Sequence, residues 1–204
     1  MSKTRICAAA LLALAMTATG LSAQVGKPQG VVDANTAAEA DLAGFPNMTP
    51  AIAKALVAKR PFASPVELNA FLLSQGLTAE QAMAFYAKAF VHINLNTATS
   101  EEILLVPGAG RRMTREFAEY RPWKTWAQFD REIGKYVGPE ATAKLAQYTF
   151  IPMNANTASD ADLMTVPGAT QAWVDKVKKG RPYKAAAELE KAAGKAQARF
   201  FVVE

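Results

Sequence analysis

The residues with the clearest chemical potential in this sequence form a glycine-rich turn followed by arginines: Gly108, Ala109, Gly110, Arg111, Arg112 and Arg115. Glycine has no side chain, so the backbone of such a turn can approach another surface closely. A helix that starts directly after the turn presents unpaired N–H groups and the positive end of its dipole, and both favour an anion. Because guanidinium groups follow one turn further along, the pattern is suited to binding a phosphate group.

The elements that must position this turn belong to a repeated unit. The triplet Asn-Thr-Ala begins at Asn35, Asn96 and Asn156, and each is followed by a proline and then by an Arg-Pro-aromatic triplet. These markers keep their register at an interval of about 60 residues, which predicts one module present in three tandem copies. We call residues 31–92 copy one, residues 93–152 copy two and residues 153–204 copy three. The glycine-rich turn lies in copy two.

Each copy is predicted to begin with an extended segment and a short helix. In copy two, Thr99 lies three residues before Glu102, the spacing of a capping box that starts a helix. Ser159 and Asp162 repeat this spacing in copy three, whereas copy one has Ala38 in place of the hydroxyl residue. Apolar residues then give a short helix that a Pro-Gly pair stops, and a second helix is predicted after the turn.

Two further helices are predicted later in a copy. Thr125 in copy two and Ser64 in copy one are the capping residues of a third helix. A fourth helix is predicted at about residues 139–148 and 78–90, whereas copy three is too short for most of it and is closed by the β-branched run at 200–203. The fold class is therefore predicted to be all-α, with three tandem helical modules of about 50–60 residues, each marginally stable alone.

The N-terminus has the pattern of a secretory signal peptide. Lys3 and Arg5 precede an apolar run, and Ala23 is the small residue that a signal peptidase requires. We therefore expect residues 1–23 to be a cleaved signal peptide, residues 24–30 to be a linker, and the mature protein to be periplasmic. No later stretch reaches the roughly 20 apolar residues of a transmembrane helix, so none is expected in the mature chain.

The composition argues against most catalytic chemistry. The one cysteine lies inside the predicted signal peptide, and the only histidine, His92, lies in an apolar run. The mature chain therefore offers no disulfide framework, no cysteine nucleophile and no ligand set, and we expect neither an enzyme nor a bound metal or cofactor. The net charge of +5 is mildly basic and does not by itself indicate nucleic acid.

The motifs of copy two resemble those of a known family. Asn-Thr-Ala, Val-Pro-Gly-Ala-Gly and Tyr-Arg-Pro-Trp, in this order, resemble the helix-hairpin-helix domain of the ComEA family of competence DNA receptors. The resemblance extends over nearly all of residues 31–204 as three copies. In that family, the hairpin backbone and adjacent basic residues grip the phosphates of duplex DNA without reading its sequence. The resemblance implies Gly108, Ala109 and Gly110 as backbone donors and favours Arg112 over the other basic residues as a side-chain contact.

The other two hairpins depart from this pattern. Copy three has Gly168, Ala169 and Thr170, so the second glycine is replaced, and no cation follows directly. These three residues remain candidate DNA contacts, with lysines further along the helix supplying charge. Copy one has neither glycine after Pro46, and its hairpin is expected to be structural.

Several other residues that recur in the copies admit a structural interpretation. The asparagines of the Asn-Thr-Ala triplets are expected to bond the local backbone. The three tryptophans are expected in the core rather than stacked on bases: Trp123, Trp126 and Trp173. For Arg121 two alternatives remain open, the capping of helix carbonyl groups and contact with a phosphate.

Two functions of different class fit these patterns. The first is an exported protein that binds double-stranded DNA without sequence preference, with a role in DNA uptake and with uptake machinery as possible protein partners. The second is a periplasmic protein-interaction or scaffold module that binds no DNA, which the departures in copies one and three favour. The hairpin of copy two favours the first, because a scaffold has no need of it.

Overall fold

The computed structural model describes residues 30–204, and within this range the chain is mostly helical. The predicted signal peptide and nearly all of the predicted linker lie outside the described residues. The elements of copy one are β1 Val32–Asp33, α1 Glu39–Ala43, α2 Pro50–Lys59, α3 Pro65–Ser74, α4 Ala79–Tyr86 and β2 Ala89–Phe90. Copy two contains β3 Ile93–Asn94, α5 Ser100–Leu104, α6 Arg111–Glu119, α7 Trp126–Ala146 and β4 Thr149–Phe150. Copy three contains β5 Met153–Asn154, α8 Asp160–Leu163, α9 Gln171–Lys179, α10 Ala186–Ala193, α11 Lys195–Ala198 and β6 Phe201–Val202.

Hydroxyl and carboxylate side chains start the short first helices as the sequence predicts. The Thr99 hydroxyl accepts from the Glu102 amide at 3.2 Å, and the Glu102 carboxylate accepts from the Thr99 amide at 2.7 Å. Ser159 and Asp162 form the same capping box in copy three, whereas Ala38 gives α1 no side-chain cap. The predicted caps of the third helices are also confirmed, because each hydroxyl of Ser64 and Thr125 accepts a helix amide.

The third and fourth helices of copy two directly abut one another. They form one run, α7, that is interrupted at Gly138, where φ is 76° and ψ is 168°. The Thr142 hydroxyl donates to the Gly138 carbonyl at 2.7 Å. In copy three the fourth helix is reduced to the four residues of α11, as its length predicts.

Short parallel strand pairs close each copy, a feature that the all-α prediction did not include. The first strand of a copy pairs with its last strand: Val32 with Ala89, Ile93 with Thr149, and Met153 with Phe201. The last of these pairs confirms that the run at 200–203 closes copy three. All three pairs are only two residues long, so the fold remains mainly helical.

The asparagine of each Asn-Thr-Ala triplet holds the aromatic residue of the Arg-Pro-aromatic triplet. In copy two, Asn96 Nδ2 donates to the Trp123 carbonyl at 3.0 Å, and the Trp123 amide donates to Asn96 Oδ1 at 2.6 Å. The same two bonds join Asn35 to Phe62 and Asn156 to Tyr183. The structural role is thus confirmed, but these side chains bond a distant turn of the copy rather than the local backbone.

Two apolar cores hold the described chain together. One contains residues of both copy one and copy two, and the other consists of residues of copy three together with Phe150 of copy two. Trp123 is only 1% exposed in the first core, where its ring packs against Phe129. Trp126 and Trp173 are partly buried against the two cores. This burial confirms the structural interpretation of the tryptophans.

Copies one and three also meet each other. The Arg199 guanidinium donates to the His92 carbonyl at 2.6 Å, and the His92 ring bonds the buried Asp33 carboxylate at 2.8 Å. On the same side, a cavity of about 370 Å³ lies between Thr36 of copy one and the Pro167–Gly168 turn of copy three. Among residues 30–204, no helix has the length and apolar character needed to cross a membrane.

Candidate phosphate-binding hairpin

The turn after the first helix has the same backbone shape in all three copies. The residue after the proline has a left-handed backbone in each case, with φ of 61° at Asn47, 85° at Gly108 and 75° at Gly168. Asparagine and glycine are the residues that adopt this conformation at least cost. The loss of glycine in copy one therefore leaves the turn intact, and the differences between the copies lie in what the turn exposes.

One of the expected backbone donors is already used inside the turn. The Ala109 amide donates to the Val106 carbonyl at 2.9 Å, and Ala109 is itself buried. The Ala169 amide makes the matching bond to Val166 at 2.9 Å. Closing the turn therefore takes up both amides, so the predicted contacts of Ala109 and Ala169 with DNA cannot use these amides while the bonds are formed.

The free amides of copy two lie on either side of this bond. Among residues 30–204, the amides of Gly108 and Gly110 have no acceptor in the turn, and both residues are exposed. The first bond of α6 runs from the Thr114 amide to the Gly110 carbonyl at 3.3 Å. The amides of residues 111–113 precede that bond, so they form the unpaired N-terminus of the helix.

The helix N-terminus is capped in copies one and three but not in copy two. The Thr49 hydroxyl accepts from the Ile52 amide at 3.2 Å, and the Thr170 hydroxyl accepts from the Trp173 amide at 3.2 Å. Gly110 takes the same place in copy two and gives no side-chain cap. A Cβ atom built on Gly110 would meet nothing within 4 Å. The start of α6 is therefore open on the side where the other copies carry a hydroxyl group.

The three arginines of copy two differ in how their charge is used. Arg111 is exposed and has no hydrogen bond or ion pair within the described range 30–204. The Arg112 guanidinium carbon lies 4.4 Å from the centre of the Tyr136 ring. Arg115 Nη2 bonds Glu116 Oε1 at 2.9 Å, although the Arg115 side chain is 71% exposed. Arg111 thus keeps an unpaired charge in the first turn of α6, and Arg112 has no ion-pair partner there, although its charge helps to lower the pKa of the Glu116 carboxyl group.

The Arg115–Glu116 pair shifts both titrating groups toward their charged forms. The hydrogen bond from Arg115 lowers the pKa of the Glu116 carboxyl against the opposing effect of burial. The same bond raises the pKa of the Arg115 guanidinium. The ionised Glu116 carboxylate therefore forms an ion pair with Arg115, whose charge is predicted to contact a phosphate.

Arg121 bonds backbone carbonyl groups of copy two. Its Nε donates to the Leu95 carbonyl at 2.8 Å and its Nη2 donates to the Ala98 carbonyl at 2.6 Å. Arg181 makes the corresponding bond to the Ala158 carbonyl at 2.8 Å. Of the two alternatives for Arg121, the structure favours the bonding of backbone carbonyls, which here belong to the segment that leads into α5 rather than to a helix end.

The hairpin of copy three contacts other parts of the protein, although Gly168 and Thr170 are both exposed. A Cβ atom built on Gly168 would lie 3.2 Å from Thr36 Cβ, and Gln197 Nε2 donates to the Pro167 carbonyl at 3.4 Å. The Thr170 hydroxyl is used as the cap of α9. The structure therefore gives each of the candidate residues Gly168, Ala169 and Thr170 an internal contact.

The sequence prediction missed the aromatic residues that support the hairpin of copy two. Tyr136 stacks on Arg112, and its hydroxyl lies 2.8 Å from that of Tyr120. Tyr136 comes from α7, and no local pattern connects it with α6. The sequence does distinguish Arg112 itself, because the other two copies have alanine at the corresponding positions, Ala51 and Ala172.

Comparison with known protein families, with characterised proteins and with solved structures finds no match for this chain. Among residues 30–204, no group of three or more histidine, cysteine, aspartate or glutamate side chains is arranged to hold a metal ion. A functional proposal must therefore be argued from the geometry of the hairpin itself.

Proposed function

We propose that this protein is an exported, sequence-independent binder of double-stranded DNA, built from three tandem helix-hairpin-helix modules like those of the ComEA family. In this proposal the hairpin of copy two holds a phosphate of the DNA backbone. Gly108, Gly110 and the first amides of α6 donate to its oxygens, and Arg111 and Arg112 supply the charge. Copies one and three serve mainly as structure.

The single observation that carries the proposal is the open start of α6. Threonine closes the corresponding helix in the other copies, so a glycine at this position is not required by the turn. Gly110 has an extended backbone that any residue adopts, with φ of −87° and ψ of −176°. Its missing side chain is best explained by a ligand that needs the amides, and a phosphate group fits both the amides and the dipole.

The charge around the hairpin supports an anion over a neutral partner. Arg111 and Arg112 lie in the first turn of α6, where cations are unfavourable for the helix itself. Such an arrangement is stabilised when an anion binds between the helix end and the guanidinium groups. A duplex supplies phosphates at regular intervals, and contacts to phosphate alone carry no sequence information.

The expected affinity is that of non-specific binding. For one hairpin we expect a dissociation constant of about 10⁻⁴–10⁻⁶ M at physiological salt. If two to four phosphates are contacted, the slope of log K against log salt concentration is roughly −2 to −4. Binding of a short fluorescein-labelled duplex to residues 24–204, measured by anisotropy over a salt series, gives both quantities.

The sharpest test is Gly110→Thr, which gives copy two the cap of the other copies. The space around Gly110 accepts the side chain, and threonine is as good a cap as glycine, so folding is preserved. We expect the new hydroxyl to occupy an amide that the phosphate needs and to weaken DNA binding roughly tenfold. Arg111→Ala/Arg112→Ala is the second variant, and it also lowers the salt slope by about 2.

Thr170→Gly is the matched control, because it removes a cap in copy three, where the hairpin faces Thr36. We expect it to leave DNA binding unchanged. Equal binding by the wild-type chain, Gly110→Thr and Arg111→Ala/Arg112→Ala would remove the proposal.

A scaffold that binds no DNA is the second candidate. It is favoured by the capped hairpins of copies one and three and by the contact of Gly168 with Thr36. A scaffold would retain its protein partners after nuclease treatment and at high salt. Loss of every partner under those conditions counts against it.

A further inference from the structure

Five side chains of copy two form a connected group beneath the open start of α6: Arg112, Arg115, Glu116, Tyr120 and Tyr136. The Arg112 guanidinium carbon lies 4.4 Å from the centre of the Tyr136 ring, and the Tyr136 hydroxyl lies 2.8 Å from the Tyr120 hydroxyl. Glu116 is only 2% exposed and bonds Arg115, and the nearby Tyr136 hydroxyl helps to lower the pKa of its carboxyl group. The group links α6, which bears the proposed phosphate site, to the first half of α7.

The two arginines of this group have partners of different charge. Arg115 has a carboxylate partner that offsets its charge. The partner of Arg112 is a neutral ring, which attracts a cation through its quadrupole and leaves the positive charge in place. A guanidinium stacked on a ring also keeps its edge N–H groups free to donate, because the ring covers only its face. Arg112 is therefore held in place without an ion-pair partner.

The other copies lack this group as a whole. Counted from the proline of the hairpin, copies one and three have alanine at the position of Arg112, at Ala51 and Ala172. A left-handed glycine follows Tyr136 by two residues, and the same offset from the matching glycines gives Ser74 and Ala192. Arg112 and Tyr136 thus occur together in copy two, the copy in which the helix after the hairpin has no side-chain cap.

We infer that Tyr136 is a positioning residue for phosphate recognition at this hairpin, acting by holding in one place the guanidinium of Arg112, a residue of the first turn of α6. This inference rests on the proposed function. A free arginine side chain loses rotamer freedom when it binds, and a stacked one has lost much of it beforehand. An exposed stacking contact of this kind corresponds to roughly a two- to fivefold effect on affinity.

The test is a double-mutant cycle between Tyr136 and Arg112 on residues 24–204, read by anisotropy of a labelled duplex. Tyr136→Phe keeps the ring, and we expect it to bind within about twofold of the wild type. Tyr136→Leu removes the ring and is expected to bind roughly two- to fivefold more weakly. In an Arg112→Ala background, the same Tyr136→Leu change is expected to have no further effect, because the side chain it positions is gone.

Three outcomes overturn the inference, two of them measured by DNA binding and one by folding. Tyr136→Leu weakening binding equally in both backgrounds would show that it acts through the fold, and so would Tyr136→Phe binding as weakly as Tyr136→Leu. If Tyr136→Leu does not fold, Tyr136→Gln takes its place, and failure of both with a folded Tyr136→Phe also assigns a purely structural role. Failure of the proposed function looks different, since Arg112→Ala then has no effect on DNA binding at all.

Discussion

The Asp33 carboxylate and the His92 imidazole share a hydrogen bond of 2.8 Å at the place where copies one and three meet. Both side chains are buried, and Arg199 of copy three bonds the His92 carbonyl. The second Asp33 oxygen accepts from the Asn35 amide, as the asparagines at 94 and 154 do in the other copies. Asparagine makes the same bond to the turn in the other copies, and Asp33 adds to it a contact with His92.

This pair predicts a loss of stability in acid. Burial raises the pKa of Asp33, but the hydrogen bond and charge of His92 together with Arg199 outweigh it and hold that pKa below its ordinary value. A group with a lowered folded-state pKa stabilises the fold above its unfolded pKa of about 3.9, and this contribution is lost as pH falls through the folded pKa. Urea unfolding from neutral pH down to acid pH measures it.

Asp33→Asn is the matched variant, because it keeps the bond to Asn35 and removes the charge. We expect it to destabilise the protein by about 1–3 kcal/mol at neutral pH and to flatten the dependence of stability on acid pH. A variant with the full pH dependence of the wild type would contradict the assignment to Asp33.

Release of Arg115 from its carboxylate is expected to strengthen DNA binding. Glu116→Gln removes the charge that offsets Arg115, whose side chain is already 71% exposed beside the hairpin. We expect tighter binding and a salt slope steeper by about 0.9, as for one additional phosphate contact. Anisotropy over the salt series measures both.

Glu188→Gln is the control for this effect, since it makes the same change in net charge on α10 of copy three. An equal gain from both variants would mean that only the overall charge matters.

Substitution of Gly108, the left-handed residue of the hairpin, tests whether its backbone conformation is what requires glycine. Gly108 has φ of 85°, and Asn47 takes this conformation in copy one. Gly108→Ala is expected to lose about 1–2 kcal/mol of stability, because an alanine Cβ crowds the backbone there. Gly108→Asn should lose less, because asparagine tolerates this region. Thermal unfolding of the two variants compares them, and equal losses would show that another feature of the turn is limiting.

The sequence predicted the parts of this structure that depend on near neighbours. The Thr99–Glu102 box involves residues three apart, so its types and spacing are sufficient to recognise it. The stacking of Arg112 on Tyr136 and the pairing of Asp33 with His92 join distant segments whose approach is set by packing. For the same reason the bond that takes up the Ala109 amide was missed, since it follows from how tightly the turn closes.

The bond between Asn96 and Trp123 is also long-range, and its loss should be measurable. Asn96→Ala removes two part-buried hydrogen bonds and leaves the amide and carbonyl of Trp123 without these partners. We expect a destabilisation of about 2 kcal/mol in urea unfolding. Thr97→Ala, at the next and exposed position, is the control and should be nearly neutral. Similar losses in the two variants would argue against a special role for the asparagine.

The parallel strand pairs have a consequence for how such a chain arises. Neighbouring strands lie about 5 Å apart, so the beginning and the finish of a copy emerge side by side. Residues 91–92 and 151–152 are all that separates one pair from the next. A gene segment encoding one copy can therefore be duplicated in tandem with no long linker to span the gap, and the sequence of the hairpin turn can then change independently in each duplicate.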